Sequence, residues 1–140
     1  MNELPEFIRE VRQWIEKAEH DLTAAEYTMK LQDDCPFDTI CFHAQQCTEK
    51  YLKGLLIFLG VSFPKAHDLR LLLQLVQTRT SLELKISEVV SLNRYTIEAR
   101  HPGDWEPIDR EEAKRALSIV HKVREKVRER LPRKALQIES

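Results

Sequence analysis

The sequence predicts an all-α protein, a single bundle of helices. The 140 residues include only three glycines and six prolines. No stretch alternates apolar and polar residues as a strand would, and apolar residues recur at three- and four-residue steps along most of the chain. A chain of this length forms one domain whose core needs neither disulfides nor metal. We expect that domain at residues 1–131 and a flexible C-terminal tail at residues 132–140.

The stretch from Asp38 to Gly60 is the predicted central helix. At helical spacing, two adjacent apolar stripes cover half of its circumference, which is typical of a helix inside a bundle. The stripes consist of Ile40, Ala44, Cys47, Tyr51, Leu55 and Phe58, and of Cys41, Thr48, Leu52 and Leu59. Asp38 is a predicted N-cap, and Gly60 is predicted to close the helix in the left-handed conformation.

Four further helices are predicted around this one, each from apolar residues at helical spacing. The predicted ranges are residues 4–31, residues 69–77, a fourth helix from residue 80 or 81 up to Pro102, and residues 109–131. Pro102 should end the fourth helix because the residue before a proline is pushed out of the α region. Asp68 and Asp109 are predicted N-caps, the latter in a variant of the capping box with Glu112.

The charges are balanced overall but unevenly distributed. The chain has 22 basic and 23 acidic residues, so no field of the whole protein attracts nucleic acid or membrane. Residues 1–38 contain ten acidic and four basic residues, whereas residues 110–134 contain ten basic and four acidic ones. Pairing of a basic last helix with an acidic first helix is the favoured explanation, and a basic surface for a polyanion is the alternative.

The sequence indicates a cytoplasmic protein without a membrane partner. It has no N-terminal apolar run with a basic flank and no long uncharged span. Three cysteines without a Cys-x-x-Cys spacing indicate free thiols in a reducing compartment. His43 and Cys47 lie one turn apart and could ligate a metal, but a buried cysteine is the favoured interpretation of Cys47. We therefore predict no metal and no cofactor.

One candidate catalytic group combines Arg94 and His101. They are seven positions apart, so both would point the same way if the fourth helix persists that far. A guanidinium that holds a phosphate and an imidazole that moves a proton could cleave RNA through its 2′-hydroxyl without a metal. Arg100 adds a second cation. The alternative is that these are ordinary surface residues at a helix end.

A second candidate group could bind a nucleotide. Its members are Gln46, Lys50, Lys53, His67 and Trp105. The lysines lie on the polar edge of the central helix, and Trp105 could stack on a base. The alternatives are a salt bridge between Lys53 and Glu49, a packing role for His67 at the start of the third helix, and burial of Trp105 over the fourth and fifth helices. No glycine-rich phosphate loop, nucleophile elbow or zinc spacing occurs.

Four motifs together resemble the HEPN domain, in the order of that family and across nearly the whole chain. They are Trp14-(x3)-Ala18-(x2)-Asp21-Leu22-(x2)-Ala25, the run from Phe42 to Lys53, His67-Asp68-Leu69, and Ala99-Arg100-His101-Pro102. The most specific is Gln-Gln-x-x-Glu-Lys-x-x-Lys at residues 45–53. The resemblance implies an up-and-down bundle of four to five helices that forms a homodimer. It also implies a minimal nucleotidyltransferase protein as partner in a two-component, toxin–antitoxin-like pair.

The resemblance implies two kinds of activity. Several members of the family are metal-independent endoribonucleases, in which two protomers bring Arg and His motifs into one cleft, and others are regarded as nucleotide-binding modules. Arg94 and His101 match the nuclease spacing at its upper limit, but Tyr95 and Pro102 depart from the active pattern. Our leading hypothesis is a module that binds nucleotide or RNA. The alternatives are an endoribonuclease using Arg94, Arg100 and His101, and an interaction bundle without a ligand.

Overall fold

The structure of the chain, a computed structural model, describes residues 4–96 and 106–137. All regular secondary structure within these two ranges is helical, which confirms the predicted all-α bundle. The helices are α1 (Glu6–Met29), α2 (Phe37–Leu59), α3 (Leu69–Gln77), α4 (Ile86–Ser91), a 3₁₀ turn (Leu92–Tyr95), α5 (Arg110–Glu129) and α6 (Arg133–Leu136). None of the described helices combines the length and apolar character needed to cross a lipid bilayer.

Helix α2 is the centre of the fold, as predicted. It packs against α1, α3, α5 and the 3₁₀ turn, and thirteen of its 23 residues are buried. Gly60 ends it with a φ of 72°, in the left-handed region where glycine carries no steric penalty. The predicted N-cap is wrong by two residues, because α2 begins at Phe37 after Pro36 and Asp38 lies in its first turn.

Helices α1 and α2 pack closely around Gly54. A Cβ atom at this glycine would lie 3.1 Å from Cβ of Trp14 and 3.2 Å from Cδ1 of Ile15. Both distances are shorter than ordinary van der Waals contacts, so a larger residue would push the helices apart. The glycine thus allows α1 to lie against the polar edge of α2, which positions Asp21 of α1 beside that edge.

The uneven charge distribution corresponds to pairing between α1 and α5. Glu19 accepts hydrogen bonds from Arg124 at 2.7 and 2.9 Å, and Arg128 lies 3.3 Å from the same carboxylate. The bonds to Glu19 raise the pKa of Arg124 above its usual value. Arg128 also donates to the hydroxyl of Tyr51, whose pKa is raised by burial. The favoured explanation, a basic helix facing an acidic one, is confirmed.

The predicted fourth helix is wrong in its extent. Residues 81–85 are not helical, α4 spans only six residues, and the 3₁₀ turn ends at Tyr95 with Thr96 extended. Leu82 lies in a non-helical segment but is fully buried in the core. Glu83 has a φ of 57°, a left-handed conformation that a continuous right-handed helix does not permit. Arg94 is therefore not on a helix that continues toward position 101, and the geometric premise of the Arg94–His101 pair fails.

The other boundaries agree closely with the prediction. Asp68 accepts a hydrogen bond from the amide of Arg70, and Asp109 accepts one from the amide of Glu112, so both predicted N-caps are present. Helices α1 and α5 each end two residues earlier than predicted, a difference typical of fraying ends.

Part of the expected C-terminal tail is helical in the structure. Pro132 lies three residues beyond the end of α5 and is the N-cap residue of α6, which packs on α1. Ala135 is buried there, and Arg12 of α1 donates to the carbonyl of Lys134. Burial of Ala135 and the hydrogen bond from Arg12 therefore hold α6 against α1. The proline at the start of this segment gives no sign of either contact.

Candidate functional site

An open groove of about 430 Å³ lies between α5 and the segment formed by α4 and the 3₁₀ turn. Two arginines on different elements line it, Arg94 on the 3₁₀ turn and Arg115 on α5. The lining also includes three serines and two carboxylates, from Ser87, Ser91, Ser118, Glu88 and Glu112. Guanidinium and hydroxyl groups are the donors that bind phosphate in proteins, so the groove has the chemistry of an anion site.

Arg94 is held on one side and open on the other. Its Nη1 lies 3.3 Å from Oε2 of Glu112, and its guanidinium lies 5.4 Å from the centre of the Tyr95 ring. The side chain is nevertheless 51% exposed. A guanidinium carries five N–H donors, and one carboxylate oxygen does not use them all. Arg94 therefore has donors left for a ligand in the groove.

The turn that carries Arg94 is fixed by the residues on either side of it. Asn93 accepts a hydrogen bond from the amide of Leu69 at 2.9 Å and donates one to Asp68 at 3.0 Å. On the other side, the hydroxyl of Tyr95 donates to the carboxylate of Glu112. Burial, and then this hydrogen bond, raise the pKa of Tyr95 well above its usual range, so the hydroxyl keeps its proton. Helices α3 and α5 thus hold the turn from both ends.

The predicted polar edge of α2 is organised around two carboxylates, the first of which is Glu49. Its side chain is only 4% exposed and lies 3.0 Å from Nζ of Lys53 and 2.9 Å from Nδ1 of His67. Gln45 donates to Glu49 at 3.2 Å, and Gln46 donates to Gln45 at 2.6 Å. The predicted salt bridge between Glu49 and Lys53 is confirmed. The side chain of Lys53 is 8% exposed, so it lies inside the bundle.

The second carboxylate of this edge is Asp21, from α1. It lies 2.8 Å from Nδ1 of His43 and forms an ion pair with Lys50. Each of the two carboxylates therefore holds one lysine and one histidine. Because Lys50 and Lys53 are both paired with carboxylates, the lysines of the edge supply no surplus positive charge for a phosphate. In the groove Arg94 is also paired, with Glu112, but its side chain is half exposed and Arg115 adds a second guanidinium.

The structure links the two predicted groups of site residues through adjacent positions in the chain. His67 binds Glu49, the next residue Asp68 binds Asn93, and Asn93 precedes Arg94. Arg100, His101 and Trp105 lie outside the described residues, and their roles remain predictions. Arg115 was not identified from the sequence as a site residue, because one arginine in a basic helix has no pattern that reveals which neighbour it faces.

The described ranges contain no cluster of three or more side chains that could hold a metal ion. His43 is occupied by Asp21, and Cys47 is fully buried in the core. Burial raises the pKa of the Cys47 thiol well above its usual value. Because thiolates rather than thiols ligate metals, the two residues are better described as a histidine in contact with Asp21 and a packed thiol.

Fold and groove together define a small helical module with an open, arginine-lined surface site. The HEPN domain profile matches residues 11–130, and the chain belongs to the HEPN family. The crystal structure of TT1696 from Thermus thermophilus is similar, with a TM-score of 0.67 and 28% identity, over 86% of this chain and 98% of that one. ST0689, described as an archaeal HEPN homologue, has a TM-score of 0.68 and 25% identity, over 86% and 96%. No curated protein is significantly similar to the chain.

Proposed function

We propose that this HEPN protein is a homodimeric module that binds nucleotide or RNA. It would work with a minimal nucleotidyltransferase partner in a two-component, toxin–antitoxin-like system. The observation that carries the binding proposal is that Arg94 and Arg115, from two different elements, line one open groove. Two arginines on one concave surface can hold a phosphate through several charge-assisted hydrogen bonds.

The phosphate would bind at the arginines rather than on the edge of α2. Lys50 and Lys53 are each neutralised by a carboxylate, so a phosphate there would have to displace Asp21 or Glu49. Gln46 and His67 would instead contact the sugar or base along the partly exposed edge, and Trp105 would stack on a base. In this proposal the groove binds the phosphate, and the remaining predicted residues contact the sugar and the base.

The binding proposal can be tested with one variant and one matched control. Arg115→Gln removes a guanidinium from the groove, whereas Lys114→Gln removes the next cation on α5, which pairs with Glu111 at the surface. We expect Arg115→Gln to weaken binding of a fluorescent single-stranded RNA about tenfold, equivalent to about 1.4 kcal/mol, and Lys114→Gln to leave it unchanged. No binding of RNA or ATP by the wild type would contradict the proposal and favour an interaction bundle.

A second candidate function is metal-independent cleavage of RNA. The observation in its favour is the exposed guanidinium of Arg94 in an open groove, seven residues before His101 in the chain. In this proposal Arg94 and Arg100 hold the scissile phosphate, and His101 acts as acid or base on the 2′-hydroxyl. Because Arg94 and His101 do not lie on one continuous helix, the nuclease remains the second candidate, after the binding module.

The nuclease is tested by incubating the protein with RNA in EDTA. The nuclease proposal requires that the wild type cleaves RNA and that His101→Ala does not. It also requires that cleavage is retained in His20→Ala, which changes an exposed histidine on α1. Cleavage that persists in His101→Ala would indicate a contaminating nuclease. Absence of cleavage by all three proteins, with RNA binding intact, would leave the binding module as the function.

The dimer and the partner require separate measurements. The resemblance to HEPN domains implies a homodimer, and we expect a light-scattering mass about twice that of the 16.5 kDa chain. A mass of one chain at micromolar concentration would contradict the homodimer. For the partner, we expect co-expression with a nucleotidyltransferase encoded beside this protein to give a complex that survives purification. Separate elution of the two proteins would contradict the two-component proposal.

A further inference from the structure

We propose that Glu112 sets the charge that the Arg94–Arg115 groove accepts, so that the groove favours the singly charged phosphodiester of an RNA strand over the terminal phosphates of a free nucleotide. The inference rests on the proposed function and decides between the two ligands that it leaves open. Glu112 would thus be a specificity-determining residue, although the sequence assigned it only to a helix cap.

The carboxylate of Glu112 faces the groove instead of its own helix end. In a regular capping box, the glutamate at this position reaches back to the amide of the N-cap residue. Here Asp109 accepts from the amide of Glu112 at 2.9 Å, but the Glu112 carboxylate binds Tyr95 and Arg94 on the 3₁₀ turn. The backbone of Glu112 is therefore fixed by the cap, and its side chain by the turn.

Glu112 cannot easily swing away to admit a more negative ligand. One oxygen, Oε2, both accepts from the Tyr95 hydroxyl and pairs with Arg94. Tyr95 is only 6% exposed, so rotation of Glu112 would take the acceptor away from the hydroxyl of a buried tyrosine, which is unfavourable. An anion that enters the groove thus meets a negative charge in a fixed position beside Arg94.

The charges of the groove limit what it can bind. Arg94 is paired with Glu112, and the other lining carboxylate, Glu88, is paired with Lys122 at 3.3 Å, so Arg115 supplies the surplus positive charge of the groove. A phosphodiester adds one negative charge, which the partly satisfied guanidinium of Arg94 can accept. Terminal phosphates bring further negative charges close to Glu112, and like charges at short range repel one another.

The test compares two ligands and two matched variants. The ligands are a 5′-hydroxyl single-stranded RNA, labelled at its 3′ end, and ATP as a competitor, both in EDTA. Glu112→Gln removes the charge but keeps an acceptor for Tyr95. Glu111→Gln makes the same change one residue earlier, at a side chain that is 71% exposed. We expect Glu112→Gln to bind ATP about tenfold more tightly and RNA less than threefold more tightly, and Glu111→Gln to match the wild type for both.

The outcomes separate this inference from the proposed function. If the wild type binds RNA but the two variants change ATP affinity equally, the role of Glu112 is refuted and the binding module stands. If the wild type binds ATP more tightly than RNA, the selectivity is also refuted. If the wild type binds neither ligand, the proposed function fails and the selectivity with it. Should Glu112→Gln not fold, Tyr95→Phe, which releases the carboxylate, must shift ATP affinity in the same direction.

Discussion

Asn93 donates a hydrogen bond of 3.0 Å to Asp68, which joins the turn that carries Arg94 to the N-terminus of α3. The Asn93 side chain also accepts a hydrogen bond of 2.9 Å from the amide of Leu69. Asp68 caps α3 by accepting a hydrogen bond from the amide of Arg70. Asn93 therefore satisfies a free amide at the start of α3. The same hydrogen bonds hold Asn93, and so the backbone next to Arg94, against that helix end. These contacts attach the 3₁₀ turn, which lines one side of the groove, to the start of α3.

Asn93→Ala should weaken both folding and binding. The variant loses two hydrogen bonds, and we expect the free energy of unfolding to fall by about 1–2 kcal/mol, measured by urea denaturation. RNA affinity should fall as well, because Arg94 loses its fixed position. Arg94→Gln is the control that separates the two effects, since it should reduce affinity with stability within about 0.5 kcal/mol of wild type. Unchanged stability in Asn93→Ala would contradict this role.

Lys53→Met should destabilise the protein strongly. The substitution keeps the apolar part of the side chain but leaves the carboxylate of Glu49 buried without its lysine. Removing one partner of a buried ion pair costs about 3 kcal/mol or more, although Gln45 and His67 still contact Glu49. Lys114→Met, which breaks a surface pair with Glu111, should cost less than about 1 kcal/mol. Equal losses in the two variants, measured by urea denaturation, would show that Glu49 does not depend on Lys53.

Gly54→Ala should destabilise the contact between α1 and α2. Alanine favours the helix by about 1 kcal/mol over glycine, but its Cβ would lie 3.1 Å from Cβ of Trp14, an atom that cannot move without the α1 backbone. Overpacking of this kind costs about 1–3 kcal/mol, so we expect a net loss of stability in thermal unfolding. A rise in melting temperature would show that the two helices separate more easily than the packing indicates.

Cysteine reactivity should separate Cys35 from the two thiols inside the bundle. Cys41 and Cys47 are buried, whereas Cys35 is partly exposed. Burial raises the pKa of Cys47, so its thiol stays protonated as the pH rises through the range in which exposed thiols ionise. We expect a disulfide reagent at about pH 8 to modify one thiol of the native protein and all three after unfolding in urea. Rapid modification of all three thiols in the native state would contradict the buried position of α2.

The sequence was sufficient for the parts of the fold that depend on periodicity and on local caps. The apolar stripes of α2 account for its central position, and Asp68, Asp109 and Gly60 mark helix ends through contacts within a few residues. The pairing of the basic last helix with Glu19 also follows from the charge pattern, because opposite charges on neighbouring helices attract.

The remaining features depend on contacts between distant residues. Leu82 and Ile86 are four residues apart, so the sequence pattern indicates that both lie on one continuous helix. In the structure, the left-handed conformation of Glu83 instead lets Leu82 reach the core from a non-helical segment. Local patterns assign Glu112 and Arg115 to α5 alone. Their role in the groove arises because the 3₁₀ turn lies opposite them, and no local pattern encodes that neighbour.

The salt dependence of RNA binding tests the phosphate-binding groove most directly. Each contact between an arginine and a phosphate of a single strand contributes about 0.7 to the slope of log affinity against log salt concentration. We expect the variant Arg94→Gln/Arg115→Gln to bind more weakly than wild type with a slope shallower by about 1.4. Arg79→Gln, which changes an exposed arginine outside the groove lining, should keep the wild-type slope. An unchanged slope and affinity in the double variant would contradict phosphate binding at these two arginines.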